Sequence, residues 1–211
     1  MKPVTDFLPY LIPVLPGVPE PFATRTLVDA AIAFCDESLV VRSRVDLGAG
    51  LTIIGSPQYT VTTPPYQQVS RVLNVWVDGV SMRPVPLDSV SVVSVPTGAP
   101  SMYYVSRYDA DLQVNLYPAP DRATYVLAAE VAYRPIRSAT FLQDDLFNLW
   151  LEPLVQGTIS RLAAMPNLAC FDVGAAQRAG VYCAALTRKA RVEGGLGSAR
   201  VSKSVFPVPF A

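Results

Sequence analysis

The hydrophobic period of this chain changes twice, from helical spacing to strict alternation and back, and that order limits the folds open to it. Leu27, Ala30, Ala31, Phe34 and Cys35 recur at helical spacing, with Arg25, Asp29 and Asp36 off the stripe. Pro19-Glu20-Pro21 stands just before them, so the spacing predicts a helix over 22–37. From Ser38 the period becomes two. Leu39, Val41, Ser43, Val45 and Leu47 alternate with Val40, Arg42, Arg44 and Asp46, as in a half-buried strand.

Gly48-Ala49-Gly50 reads as a turn, and Leu51–Ile54 and Tyr59–Thr62 as short strands. Val69–Val77 is a stronger strand, and Asp78-Gly79 follows it directly. Asp-Gly between apolar strands marks a two-residue hairpin, because both central residues of a type I′ turn need positive φ. Pro84, Pro86, Pro96 and Pro100 restrict Met82–Pro100 to short or edge strands. Met102–Arg107, Leu112–Tyr117 and Thr124–Tyr133 complete the β region. In the last, Tyr125, Leu127, Ala129, Val131 and Tyr133 line one face.

Helical spacing returns after Thr140, through Leu146, Leu149, Trp150, Leu154, Thr158, Arg161 and Leu162. Pro153 lies inside this pattern and is expected to kink it, while Gly157 permits close approach of another helix. Met165-Pro166-Asn167 ends the element. Asp172 is placed to cap a last helix with Val173, Ala176, Gly180, Cys183, Thr187 and Ala190 on one stripe, stopped by Gly194, Gly195 and Gly197.

The expected fold class is therefore α+β. A small helical bundle from both chain ends (22–37 and 141–193) carries an inserted, mainly antiparallel β domain (38–140). Extended arms flank it at 1–21 and 194–211. Leu27, Phe34, Leu146, Trp150 and Leu162 are the expected core of the bundle.

Composition narrows the function. Hydrophobic residues make up 51% and charged residues 16%, against about 25% charged in an ordinary soluble domain. The chain can bury a large core, with apolar surface to spare for another chain. The 17 basic and 17 acidic residues cancel, so no global field draws it to nucleic acid or an anionic membrane. No apolar run reaches the roughly 18 to 20 residues of a membrane span, and four prolines interrupt 1–17 as a secretory signal.

The chain has no histidine, which removes Ser-His-Asp and Cys-His nucleophiles and His-ligated metal sites together. Its lysines, Lys2, Lys189 and Lys203, follow no phosphate-loop or Ser-x-x-Lys pattern. Cys35, Cys170 and Cys183 lack the spacing of a zinc site or disulfide framework and read as small apolar residues. No catalytic, cofactor-binding or metal-binding residue is expected.

Four other features have a chemical and a plain reading. Asp144-Asp145 could be a carboxylate pair, but adjacent helical residues point about 100° apart and acids favour first turns. The pairs Gly48/Gly50 and Gly195/Gly197 do not complete a dinucleotide fingerprint. Tyr103, Tyr104 and Tyr108 beside Arg107 could stack bases, yet aromatics are ordinary in strands. Arg188, Lys189, Arg191, Arg200 and Lys203 complement a helix dipole first, a protein partner second and DNA third.

Several stretches in this order resemble a known family. Phe-Leu-Pro-Tyr-Leu-Ile-Pro-Val-Leu-Pro-Gly-Val-Pro-Glu-Pro (Phe7–Pro21) precedes Leu-Val-Asp-Ala-Ala-Ile-Ala-Phe-Cys (Leu27–Cys35) and Val-Leu-Asn-Val-Trp-Val-Asp-Gly (Val72–Gly79). Leu-Tyr-Pro-Ala-Pro-Asp (Leu116–Asp121), Val-Ala-Tyr-Arg-Pro (Val131–Pro135) and Leu-Gln-Asp-Asp-Leu-Phe (Leu142–Phe147) follow. Together they resemble the head-to-tail adaptor, or connector, proteins of tailed bacteriophages, the group that includes tail tubular protein A. The likeness spans roughly Phe7 to Ala190, and its motifs are framework motifs.

The resemblance implies a ring in the virion neck, usually of twelve copies, assembled in the host cytoplasm. Its partners would be itself, the portal protein and the next tail or neck protein. DNA would pass through the lumen without sequence-specific binding, and no membrane is involved. The C-terminal segment would reach the portal; from their own alternation and the prolines beside them, Val201, Lys203, Val205, Phe206, Val208 and Phe210 are the expected binding residues of that arm.

One rival is a cell-wall hydrolase using a carboxylate pair from Asp109, Asp111, Asp121 or Glu130. Another is a different neck or tail-completion ring of the same fold.

Overall fold

The computed structural model describes residues 1–89, 95–108 and 111–196, and its elements follow the two changes of period. Strand β1 (Lys2–Pro3) and a 3-10 helix (Val4–Tyr10) lead to helix α1 (Glu20–Ser38). The β region comprises β2 (Arg42–Leu51), β3 (Gln58–Thr60), β4 (Gln67–Val77), β5 (Val80–Ser81), β6 (Arg83–Pro84), β7 (Thr97–Gly98), β8 (Met102–Tyr108), β9 (Asp111–Tyr117), β10 (Ala119–Pro120), β11 (Val126–Pro135) and β12 (Phe141–Leu142). The helices α2 (Asp144–Asn148), α3 (Leu151–Ala163) and α4 (Val173–Leu196) close the described chain. The protein is α+β.

Helix α1 starts after Pro19, with Pro21 in the first turn, where a missing N–H removes no helical bond. Its expected stripe, Leu27, Ala30, Ala31, Phe34 and Cys35, is buried throughout. It ends at Leu39, whose φ of 54° lies in the left-handed region and whose N–H reaches the Cys35 carbonyl at 3.0 Å.

Strand β11 organises the larger sheet, of order β2-β11-β4-β5, and pairs antiparallel with β2 and β4. The expected face, Tyr125, Leu127, Ala129, Val131 and Tyr133, is buried. The opposite face carries Ala128 and Ala132, also buried, and their small size lets α1 lie close against β11. The second sheet has the order β3-β9-β8-β6, with Leu112, Val114 and Leu116 of β9 pointing into the core. Side chains of both sheets, α1, α3 and the N-terminal segment join one buried apolar cluster. Helices α1, α3 and α4 pack on one another.

The hairpin between β4 and β5 is the one expected: Val77 pairs with Val80, and Asp78 and Gly79 have φ of 51° and 79°. The Asp78 carboxylate also accepts the Val126 N–H at 2.8 Å, tying the turn to β11. Asp172 caps α4, accepting the Ala175 N–H at 2.9 Å.

Six local expectations are corrected. The N-terminal segment is not an extended arm, because Val4, Phe7, Leu8, Leu11 and Leu15 are buried and 4–10 is helical. Gly48–Gly50 is no turn between strands. Strand β2 continues to Leu51, which pairs with Val126 while Asp46 pairs with Ala128, and the surplus residues bulge at glycines of φ 58° and 83°. Thr52–Ile54 form no strand; an apolar run this short cannot separate a core strand from a loop.

Pro153 does not kink a continuous helix. The chain breaks at Leu149-Trp150, and Pro153 falls in the first turn of α3, where it displaces no helical bond. That break turns Leu149 outward, 68% exposed, off the expected stripe. Finally, α4 runs through Gly194 and Gly195 to Leu196. Gly194 is packed, since a Cβ there would lie 3.3 Å from Val40.

Candidate functional site

The proposed portal-binding residues Val201, Lys203, Val205, Phe206, Val208 and Phe210 lie outside the described residues, as does Asp109. Asp111 opens β9, and three of the remaining candidate carboxylates have structural partners. Asp144 pairs with the Met1 ammonium at 2.9 Å, and both Asp144 and Asp145 sit in the first turn of α2. Asp121 accepts the Tyr125 hydroxyl at 2.9 Å, and Glu130 lies 3.9 Å from Arg42, so neither is a free carboxylate in a cleft.

Tyr103 and Tyr104 are buried and offer no stacking face, and Arg107 donates to the Val69 and Ser70 carbonyls. All three cysteines are free thiols. Burial, with Asp36 adding, pushes the Cys35 thiol far up, and burial also raises Cys183. Lys189 stands 3.8 Å from Glu193 across one turn of α4. Among the described residues, no group of three or more His, Cys, Asp or Glu could hold a metal ion. Nor is any helix there long and apolar enough to cross a membrane.

The unusual surface chemistry is apolar instead, and it lies in two places. The first is the tip of the β region. Ile53 and Ile54 are 62% and 61% exposed, and Leu51, Val80 and Val126 stand out beside them. Pairing fixes this tip: Leu51 faces Val126, Val126 donates to Asp78, and Val80 follows in the same hairpin. The Ile53 N–H donates to the Tyr59 hydroxyl at 2.9 Å, and the Thr52 hydroxyl to the Arg122 carbonyl at 2.8 Å. The exposed isoleucines are thus held by buried anchors.

The second is an open groove of about 820 Å³ between the N-terminal segment, α2, α3 and α4. Tyr10, Val14, Leu149, Val155, Ile159 and Tyr182 line it. The Tyr182 hydroxyl donates to Glu152 at 2.7 Å across it, and that contact raises the phenol above its ordinary range. Val181 and Val192 continue the exposed apolar surface along α4. The sequence carried a signal for both places. Adjacent Ile53-Ile54 break the alternation, and Tyr10, Ile12 and Val14 sit between prolines.

Small residues account for the helix packing behind that groove. A Cβ on Gly157 would lie 3.2 Å from the Cys183 sulfur and 3.5 Å from Ala30, and one on Gly180 would meet the Ser160 hydroxyl at 2.9 Å. Gly157 therefore permits the close approach the sequence suggested.

Exposed apolar side chains gathered in two places are what a surface that docks on other proteins presents. The family model described as SU10 adaptor protein matches residues 10–203, and the chain belongs to that family of bacteriophage structural adaptors. No curated protein matches the chain.

Proposed function

We propose that this protein is the head-to-tail adaptor of a phage neck, forming a ring of about twelve copies that joins the portal to the tail around the DNA channel. The observation that carries the reading is the pair of separate apolar surfaces, the β tip and the α4 groove, on a member of an adaptor family. Burying each exposed Ile or Val stabilises association by roughly 1.5 to 3 kcal/mol.

In this reading the helices act as a bundle whose outer faces make the side-to-side ring contacts. The β region, as an inserted domain, faces the tail with Ile53 and Ile54. The C-terminal segment after α4, 197–211, engages the portal through Val201, Lys203, Val205, Phe206, Val208 and Phe210. DNA passes through the lumen without sequence-specific binding.

Light scattering and negative-stain imaging of the purified protein, alone and with portal, test the ring. Annular particles with portal support it, and a monomer that ignores portal-containing heads overturns it. A doubly substituted Ile53→Ser, Ile54→Ser chain should still form rings but lose the tail component.

A further inference from the structure

A second groove, of about 750 Å³, lies where α4 ends. Its walls are Val40, Leu149 and Trp150 on the apolar side and Asp144, Asp145 and Glu193 on the acidic side. Gly194 lines it as well, packed against Val40 and Arg42, so the chain leaves α4 at the groove itself. Leu149 on its wall is 68% exposed among the described residues.

Two polar features of this groove are incomplete. Gln67 is 9% exposed, and its Oε1 has no hydrogen-bond partner among the described residues. A buried acceptor of this kind is stabilised by a donor. Strand β2 is the other. Within the described residues it pairs only with β11, as the outer strand of its sheet. The Val41 carbonyl accepts from the Tyr133 N–H at 2.8 Å, so by alternation Ser43 and Val45 also face β11. The backbone groups of Arg42 and Arg44 then point to the open edge, and Arg42 and Ser43 line the groove.

We propose that this groove is the docking site of the chain's own segment Arg200–Val205, which folds back from the end of α4 and adds a short strand to the open edge of β2. Three observations choose this occupant. The segment leaves from the groove wall, and at about 3.3 Å per residue the nine residues after Leu196 reach roughly 30 Å, enough to cross it. The chain beyond Leu196 carries Arg200 and Lys203 and no acid; on the acidic wall Asp144 already meets the Met1 ammonium and Glu193 meets Lys189, so Asp145 is the carboxylate these cations complement. By alternation Val201 and Val205 share one face with Lys203 between them, opposite Ser202 and Ser204, so that face offers two apolar side chains to Val40, Leu149 and Trp150 and one cation to the acidic wall while the backbone stays free to pair.

Tethering supplies an effective concentration on the order of millimolar, which favours a short strand that would not bind in trans. Phe206–Phe210, with two prolines, cannot continue the ladder and stays available to a partner. The groove then acts as a holder for the portal-engaging arm until the portal offers a better edge. This rests on the arm reading given above, but its test uses free protein without portal, so the two fail separately.

The test is disulfide formation in the full-length chain carrying Leu149→Cys and Val201→Cys, with Cys170→Ala and Cys183→Ala to remove competing thiols. At high dilution an intramolecular disulfide is expected. Hydrogen exchange on the full-length Val201→Asp, Val205→Asp chain is the second readout. The Arg42 and Arg44 amides should exchange at least about tenfold faster than in the parent, with β11 amides unchanged. Crosslinks only between chains would assign the groove to a second copy and overturn the proposal, as would exchange at Arg42 and Arg44 that the substitutions leave unaltered.

Discussion

The carboxylate of Asp36, in the last turn of α1, pairs with the guanidinium of Arg134 near the end of β11. Asp36 also accepts the Ser70 hydroxyl from β4, so one side chain fastens the first helix to two strands of the larger sheet. Residues 98 positions apart are joined in this way. Both partners remain partly exposed, at 33% and 26%, which screens the charge term. Asp36→Asn should therefore lower stability by about 1 kcal/mol, whereas Asp36→Leu, which takes the carboxylate away from both the Ser70 hydroxyl and Arg134, should cost about 2 to 3. Urea denaturation of both variants measures this, and equal stabilities would remove Asp36 as the fastener.

The hairpin at Asp78-Gly79 provides a cleaner measure of backbone strain. Nothing lies within 4 Å of a Cβ at Gly79, so only its φ of 79° opposes a side chain. Gly79→Val should cost about 1 kcal/mol or more, and Gly79→Asn less, because Asn tolerates the left-handed region. Melting temperatures in the order Gly, Asn, Val are expected. An unchanged melting temperature for the Val variant would contradict the turn.

Helix packing sets a second glycine apart from a third. Gly157→Val must push the Cys183 sulfur and Ala30 away, an overpacking worth roughly 1 to 3 kcal/mol of destabilisation. Gly195→Ala meets nothing within 4 Å and should add helix content, up to about 1 kcal/mol locally. Circular dichroism during thermal unfolding separates the two, and a stabilising Gly157→Val would show that α3 and α4 do not meet there.

Cys35 should be the slowest thiol toward a disulfide reagent. Burial holds it in the neutral form well above the ordinary thiol range, so raising the pH to 8 produces little thiolate in the folded chain. Cys170 and Cys183 are only partly buried. The expected record at pH 8 is modification of those two first, with Cys35 reacting only on unfolding. Fast modification of Cys35 in the native protein would contradict its burial.

Deleting Gly197–Ala211 should leave the body folded with near-native helix content, since the described core reaches no further than α4. The truncated chain should not stay on portal-containing heads in a pull-down. Stable retention would move the portal contact onto the folded body.

Elements whose stabilisation is local, or whose partners repeat at a fixed period, follow from the order of the residues. The α1 stripe, the Asp78-Gly79 turn, the Asp172 cap and the buried face of β11 were all legible, because each depends on dihedral preference, a nearby hydrogen bond or a regular alternation. What depends on distant neighbours is set by the packing of the whole chain. The bulge at Gly48–Gly50 exists because β11 fixes the register of β2 on both sides of it. The 3-10 helix at Val4–Tyr10 carries Phe7 against Phe147, ring centroids 5.0 Å apart, a contact no local pattern encodes. The same holds for the surfaces. Leu149 and Ile53 are as apolar as Leu154 and Val75, and only the course of the chain leaves the first two in solvent. Hydrophobicity is a property of a residue, but exposure is a property of everything folded around it.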